Sequence, residues 1–218
     1  SGLVRGFKAR KMIPEKKNIK LMTRAVQLGV ACIADAVSKV PHWESIPAER
    51  RGIYVGASPQ MGEPTDLKYA IEAAYSTGTF SLADFARKGI EQIHPLWLVR
   101  GLSNNVLGFS SAHHDIQGWN MNYAMGEEGG WNAIVEAIQA LHEGRVDIVV
   151  AGASDNMTRA KPVLGETCSE GAAFLILERG EQILHLDRAA LQHRVAHFGH
   201  LGAAKWPVAI VLQELAKE

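Results

Sequence analysis

Cysteine is scarce in this chain: only Cys32 and Cys168 occur among 218 residues. They are far apart, form no CxxC pair, and are too few for a disulfide framework or a cysteine-rich zinc site. A reducing cytoplasm is the simplest compartment. An excess of one charge is also missing, because Lys plus Arg (23) balances Asp plus Glu (23). That balance removes the footprint of a protein that grips nucleic acid or anionic lipid without sequence preference. No apolar run approaches the roughly 18 residues of a spanning helix. The opening Ser1-Gly2-Leu3-Val4-Arg5 lacks the charged-then-apolar order of a signal peptide. A soluble, intracellular protein with no nucleic-acid or membrane partner is expected. No repeat, low-complexity tract or linker divides the chain, so 1–218 reads as one domain. Its 47% hydrophobic and 21% charged composition is that of a globular protein. At this length roughly 70% of the unfolded surface can be buried without metal or disulfide staples.

What is present alternates between two periods. Residues 8–20 are rich in Lys and Arg and read as a solvated surface segment. Leu21, Ala25, Leu28, Cys32, Ala36 and Val40 then recur at helical spacing, in a long amphipathic helix that Pro41 ends. The run 52–57 reads as a buried strand between glycines, 62–65 as a loop, 66–75, 81–90 and 105–116 as short helices, and 118–125 as a strand. A helix over 129–142, with Ile134, Ala137, Ile138 and Leu141 on one face, stops near Gly144. The continuous apolar runs 146–153 and 172–177 read as strands buried on both faces. Helices interleaved with such strands predict a layered α/β architecture, with the sheet faces covered by helices.

Ordinary catalytic signatures are missing: no P-loop, GxSxG elbow, HExxH or GxGxxG occurs. His113 and His114 are adjacent and would diverge by roughly 100° on a helix. His193, His197 and His200 mimic a metal face, but Gly199 and Gly202 interrupt any helix there and only Asp187 lies near. Neither metal nor cofactor is expected.

The run from Asn120 through Gly126-Glu127-Glu128-Gly129-Gly130-Trp131, with Asp147-Ile148-Val149-Val150-Ala151-Gly152-Ala153 beyond it, resembles the nucleophile region of β-ketoacyl synthases of the thiolase fold. Other stretches keep the family's order. Leu21 to Leu28 is similar to its early helix, Gly52 to Ala57 to its "vGv" strand, and His94-Pro95 with Ser103-Asn104-Asn105 to its "P…lpN" segment. Ser169-Glu170-Gly171-Ala172 is similar to its "GEGA" strand and Gly199-His200-Leu201-Gly202-Ala203-Ala204 to its "GHlgAA" motif. The resemblance implies a thiolase-like layered sheet: about one ketosynthase half plus a remnant of the second, as a single truncated domain. The family's first strand should precede Gly6-Phe7, and the stretch between Glu178 and Gly199 is too short for the second half.

The departures carry the functional expectation. The family's cysteine falls at Glu127, which cannot form a thioester. Gly129-Gly130 matches the glycine pair of chain-length factors, the cysteine-free partners of ketosynthases. His200 sits at a catalytic-histidine position without a cysteine to serve. The resemblance therefore implies a non-condensing, chain-length-factor-like subunit in polyketide, polyene or fatty-acid-type biosynthesis. Such a subunit pairs with an active ketosynthase and shapes the tunnel for a chain carried on an acyl carrier protein. It further implies that 120–125 is an interface edge with Trp119, Tyr123 and Met125 in contact, and that Val106, Phe109 and Ser110 line the tunnel. Two alternatives of the same fold stay open: a malonyl-thioester decarboxylase assisted by Glu127 or His200, and an acyl-binding homodimer.

Overall fold

The computed structural model describes residues 2–59, 62, 64–75, 78–158 and 168–178. In chain order these carry helices α1 (Ala9–Met12), α2 (Arg24–Val37), α3 (Lys68–Ala74), α4 (Leu82–Asp84), α5 (Trp97–Gly101), α6 (Asn105–His114) and α7 (Gly129–His142). The strands are β1 (Arg51–Gly56), β2 (Asn120–Tyr123), β3 (Ile148–Asn156) and β4 (Glu170–Glu178). They form one sheet in the order β2-β1-β3-β4, with β1 parallel to both β2 and β3 and β4 antiparallel to β3. Period-two alternation sorts the side chains onto two cores. Ile53, Val55, Ile148, Val150 and Phe174 pack with Val26, Val30 and Ile33 of α2 and Val106 of α6. On the opposite face Tyr54, Val149 and Ala151 pack with Ala133, Ala137, Ala140 and Leu141 of α7. Each fully buried aliphatic chain contributes about 1.5–3 kcal/mol. The layered α/β fold expected from the sequence is the one observed.

Boundaries shift where local chemistry overrides periodicity. The first long helix starts at Arg24, because Leu21 closes a 3₁₀ segment, Lys16–Leu21. It stops at Val37, where Ser38 Oγ donates back to Asp35 O at 2.7 Å. The surface segment at 8–20 is anchored by Ile13, which is 2% exposed, with Ala9 and Ile19 partly buried against the same core. The 81–90 helix breaks into α4, a π turn (Phe85–Gly89) and a 3₁₀ turn (Ile90–Gln92). The 118–125 strand is trimmed to β2, since the Gly118 N–H is taken by Arg51 O at 3.0 Å ahead of the ladder.

Helix α6 ends at His114, with Asp115 left-handed at φ 49°. Its last carbonyl is held by Arg51, a buried cation that donates to His114 O (3.2 Å) and Ile46 O (2.9 Å) and lies 5.5 Å over the Trp43 ring. Burial beside this group, with the charge of His113 adding to it, lowers the His114 imidazole to about 4. No helix among the described residues is long and apolar enough to cross a membrane.

Candidate functional site at the strand ends

In open sheets with parallel strands, ligands are taken at the carboxyl ends of the strands, where connections leave in opposite directions. Here the connection from β1 runs outward to β2 and the one from β2 returns across β1 to β3. The return path begins with the segment that the sequence singled out. After β2, Gly126 turns at φ 64°, residues Gly126–Glu128 make one 3₁₀ turn, and α7 starts at Gly129.

Glycines permit this start to lie directly on the strand ends. A Cβ on Gly56, the last residue of β1, would sit 2.2 Å from Gly130 N and 2.4 Å from Gly129 C. A Cβ on Gly129 would sit 2.5 Å from Tyr123 O, and one on Gly130 2.9 Å from the Ala153 Cβ. The positive end of α7 is thereby held among the ends of three parallel strands. A helix end of this kind favours a nearby anion by about 0.3–1 kcal/mol.

Polar groups collect at the same end. Ser58, two residues past β1, donates its hydroxyl to Asp155 Oδ2 at 2.6 Å. Asp155 Oδ1 accepts the Asn156 N–H at 2.7 Å, and Asn156 Oδ1 accepts both the N–H and the hydroxyl of Thr158, at 3.0 and 2.7 Å. Asn122 of β2 donates to Ser103 Oγ at 3.2 Å, which ties the entry of α6 to the same edge. Ser58, Asp155 and Asn156 were missed in the sequence. Their one signal is a polar run, Ser154-Asp155-Asn156, closing an otherwise continuous apolar strand.

The residues singled out from the sequence fall as follows. The backbone of Glu127 lies in the turn that enters α7, at the site. His200, with His193 and His197, lies outside the described residues. Among the described residues no group of three His, Cys, Asp or Glu side chains is placed to hold a metal. Neither cysteine is near the turn in sequence: Cys32 is half-buried on α2 with Sγ 3.9 Å from Ala172 O, and Cys168 is buried just ahead of β4.

Among the described residues β2 is an outer strand of the sheet; Met121 within it, and Trp119 and Met125 just beyond its two ends, are 50%, 53% and 54% exposed. One face of Trp119 carries the Arg145 guanidinium, 4.3 Å from the ring centre. Tyr123 turns inward against the α7 core, where burial, then Glu136 and Tyr54, push its phenol up. Val106 and Ser110 are fully buried where α6 meets α2, and Phe109 is half-buried against the same cluster. Ser110 Oγ is without a hydrogen-bond partner among the described residues.

No protein-family model and no curated protein matches the chain. Solved structures do. One is a type II polyketide synthase acyl-carrier protein in complex with its ketosynthase bound to the hexaketide; TM-score 0.64, 17% identity, covering 88% of this chain and 55% of that one. Another is the ishigamide ketosynthase/chain length factor, at TM-score 0.58 and 20% identity over 82% of this chain and 49% of that one. A third is a beta-ketoacyl synthase from Burkholderia phymatum STM815, at TM-score 0.54 and 18% identity over 89% and 49%. The chain thus spans about half the length of the structures it matches. Its fold is that of ketosynthases and chain length factors, the thiolase-type sheet with helices on both faces that the resemblance implies.

Proposed function

We propose that this chain is a non-condensing, chain-length-factor-like subunit that pairs with an active ketosynthase and helps shape the path of an acyl chain delivered by an acyl carrier protein. The observation that carries the reading is the turn into α7. Its backbone is seated on the strand ends by Gly56, Gly129 and Gly130, as a nucleophile turn requires, yet the residue at the family's cysteine position in that turn is Glu127. A carboxylate at a helix N-terminus is electrostatically stable. It does not accept an acyl group as a stable thioester, which is the step a condensing enzyme needs.

Two further features support the partners. Among the described residues the outer edge of β2 pairs with no further strand and lies beside the exposed Trp119, Met121 and Met125, and an open edge of this kind is a template for pairing with another chain. Arg5, Lys8, Arg10, Lys11, Lys16, Lys17 and Lys20 are all exposed, with Glu15 the one acid among them, so residues 5–20 form a cationic surface suited to an acidic carrier protein. In this reading Phe109, half-exposed on α6, is the tunnel residue whose bulk matters, and Val106 and Ser110 back it.

Co-purification with an active ketosynthase is the test. A stable one-to-one complex is expected, weakened at least about tenfold by Met125→Asp, because burying an unpaired charge at an interface costs several kcal/mol. A chain that stays monomeric beside every active ketosynthase offered to it would refute the pairing.

A further inference from the structure

Residues 2–7 run beside the first residues of β4. Gly2 bridges Ser169, the Glu170 N–H donates to Gly2 O at 3.0 Å, and the Val4 N–H donates to Glu170 Oε1 at 3.0 Å. Glu170 is the one buried acid among the described residues, its side chain 2% exposed. Its carboxylate is gripped by Arg24, the first residue of α2, through Nη2 at 2.8 Å and Nε at 3.1 Å. Arg24 reaches back to the same segment, donating from Nη2 to Val4 O at 3.0 Å and lying 4.7 Å over the Phe7 ring. Each of these contacts except the Gly2–Ser169 bridge involves Glu170 or Arg24.

The junction is at the site-bearing end of the sheet. The antiparallel register sets Glu170 opposite Asn156, and the Met157 N–H donates to Ser169 O at 2.9 Å. A line of backbone pairing therefore runs from Gly2 through Ser169 to the residues that follow the Ser58–Asp155 pair. Cys168, 8% exposed, is the neighbour of the residue that Gly2 bridges. A buried carboxylate stays charged only while its cation and hydrogen-bond donors are in place. Elements fixed by few buried contacts open locally at lower free energy than the core.

We propose that residues 2–7 form a strap, latched by Glu170 through Arg24, that opens as a local unit ahead of the core and thereby uncovers Cys168 and the adjoining end of the sheet. The strap is then held by one buried ion pair together with Phe7, whose ring is partly buried against the α2 core. Arg5 lies inside the strap and is exposed, so trypsin reads its opening directly.

Under native conditions Glu170→Gln, which keeps the size and removes the charge, raises cleavage after Arg5 by about tenfold. Cleavage after Arg145, between α7 and β3, stays unchanged. Alkylation of Cys168 by iodoacetamide, read separately from Cys32 by peptide mass, rises in parallel. Arg24→Lys keeps the charge but loses the two-nitrogen grip, and gives the same pattern at smaller amplitude should the Gln variant fail to fold. Unchanged cleavage after Arg5 in the folded variants would overturn the latch. Equal rises after Arg5 and Arg145 would show that the strap leaves only with the core, and a Cys168 rate that ignores the opening would remove its covering role.

Discussion

Replacing Gly56 with alanine tests whether the turn into α7 is seated on β1 as described. The added Cβ would sit 2.2 Å from Gly130 N and 2.4 Å from Gly129 C, both backbone atoms that no rotamer change can move. Restoring ordinary contact requires the helix start to retreat from the strand by about 1 Å, a gap that forfeits a quarter to a half of each contact along it. The buried row Ala133, Ala137 and Tyr54 lies in that contact. Overpacking of this kind costs about 1–3 kcal/mol, and the backbone nature of the clash sets the expectation near the top, at about 3 kcal/mol.

Gly108 is the matched control: it lies in α6 with nothing within 4 Å of its Cβ position. Gly108→Ala should stabilise by about 0.5–1 kcal/mol through helix propensity alone. Urea midpoints of the two variants against the parent chain read both effects, with unchanged slope confirming that the transition itself is the same. A Gly56→Ala protein within about 0.5 kcal/mol of the parent, the scatter of ordinary surface changes, would mean that α7 does not rest on β1 at this point.

Phe109→Ala separates tunnel from core: a tunnel residue leaves the thermal midpoint nearly intact while the complex makes a longer product. A core residue costs about 3–5 kcal/mol with product length unchanged. His114 is held neutral in the folded chain, lowered to about 4 from 6.5 by burial and then by His113. The unfolded chain therefore binds the proton first. Stability should fall as pH drops from about 6.5 to about 4 and level off below, and in His114→Gln this slope should vanish. Reversing Lys16 and Lys17 to glutamate should weaken carrier-protein binding and flatten its salt dependence, since both are exposed members of the cationic segment. Binding that is indifferent to salt would place the docking surface elsewhere.

Sequence pattern alone found helix 129–142 at its observed limits, because a glycine pair opens it and apolar residues at three- and four-residue spacing carry it to His142. β1 and β3 were legible for a related reason: they lie inside the sheet and read as unbroken apolar runs. β4 was found by the same signal, but it is an outer strand of the described sheet and only partly buried, not buried on both faces as its apolar run suggested. β2 was legible only as a stretch. Asn120-Met121-Asn122-Tyr123 has no continuous apolar run, and its limits come from pairing with β1, which periodicity does not report. The π turn at Phe85–Gly89 is equally silent, since its pattern is that of an ordinary helix. Glu127 could be placed at the site only through the resemblance of its surroundings to the ketosynthase nucleophile region, since an acid at a helix start does not by itself mark a site. The Ser58–Asp155 and Arg24–Glu170 pairs join residues 97 and 146 positions apart, and only the folded sheet brings them together.

Reconstitution with an active ketosynthase, using malonyl-carrier protein as extender, tests the central claim most directly. The account predicts elongation by the pair, none by the isolated chain, and no acyl label at position 127 from thiol-directed analogues. Glu127→Gln should leave both assembly and product within a few-fold of the parent, because glutamine keeps the shape and loses only a helix-end charge effect of about 0.3–1 kcal/mol. Elongation by the isolated chain, or loss of product in Glu127→Gln while the complex stays assembled, would contradict it and make Glu127 a participant in the chemistry.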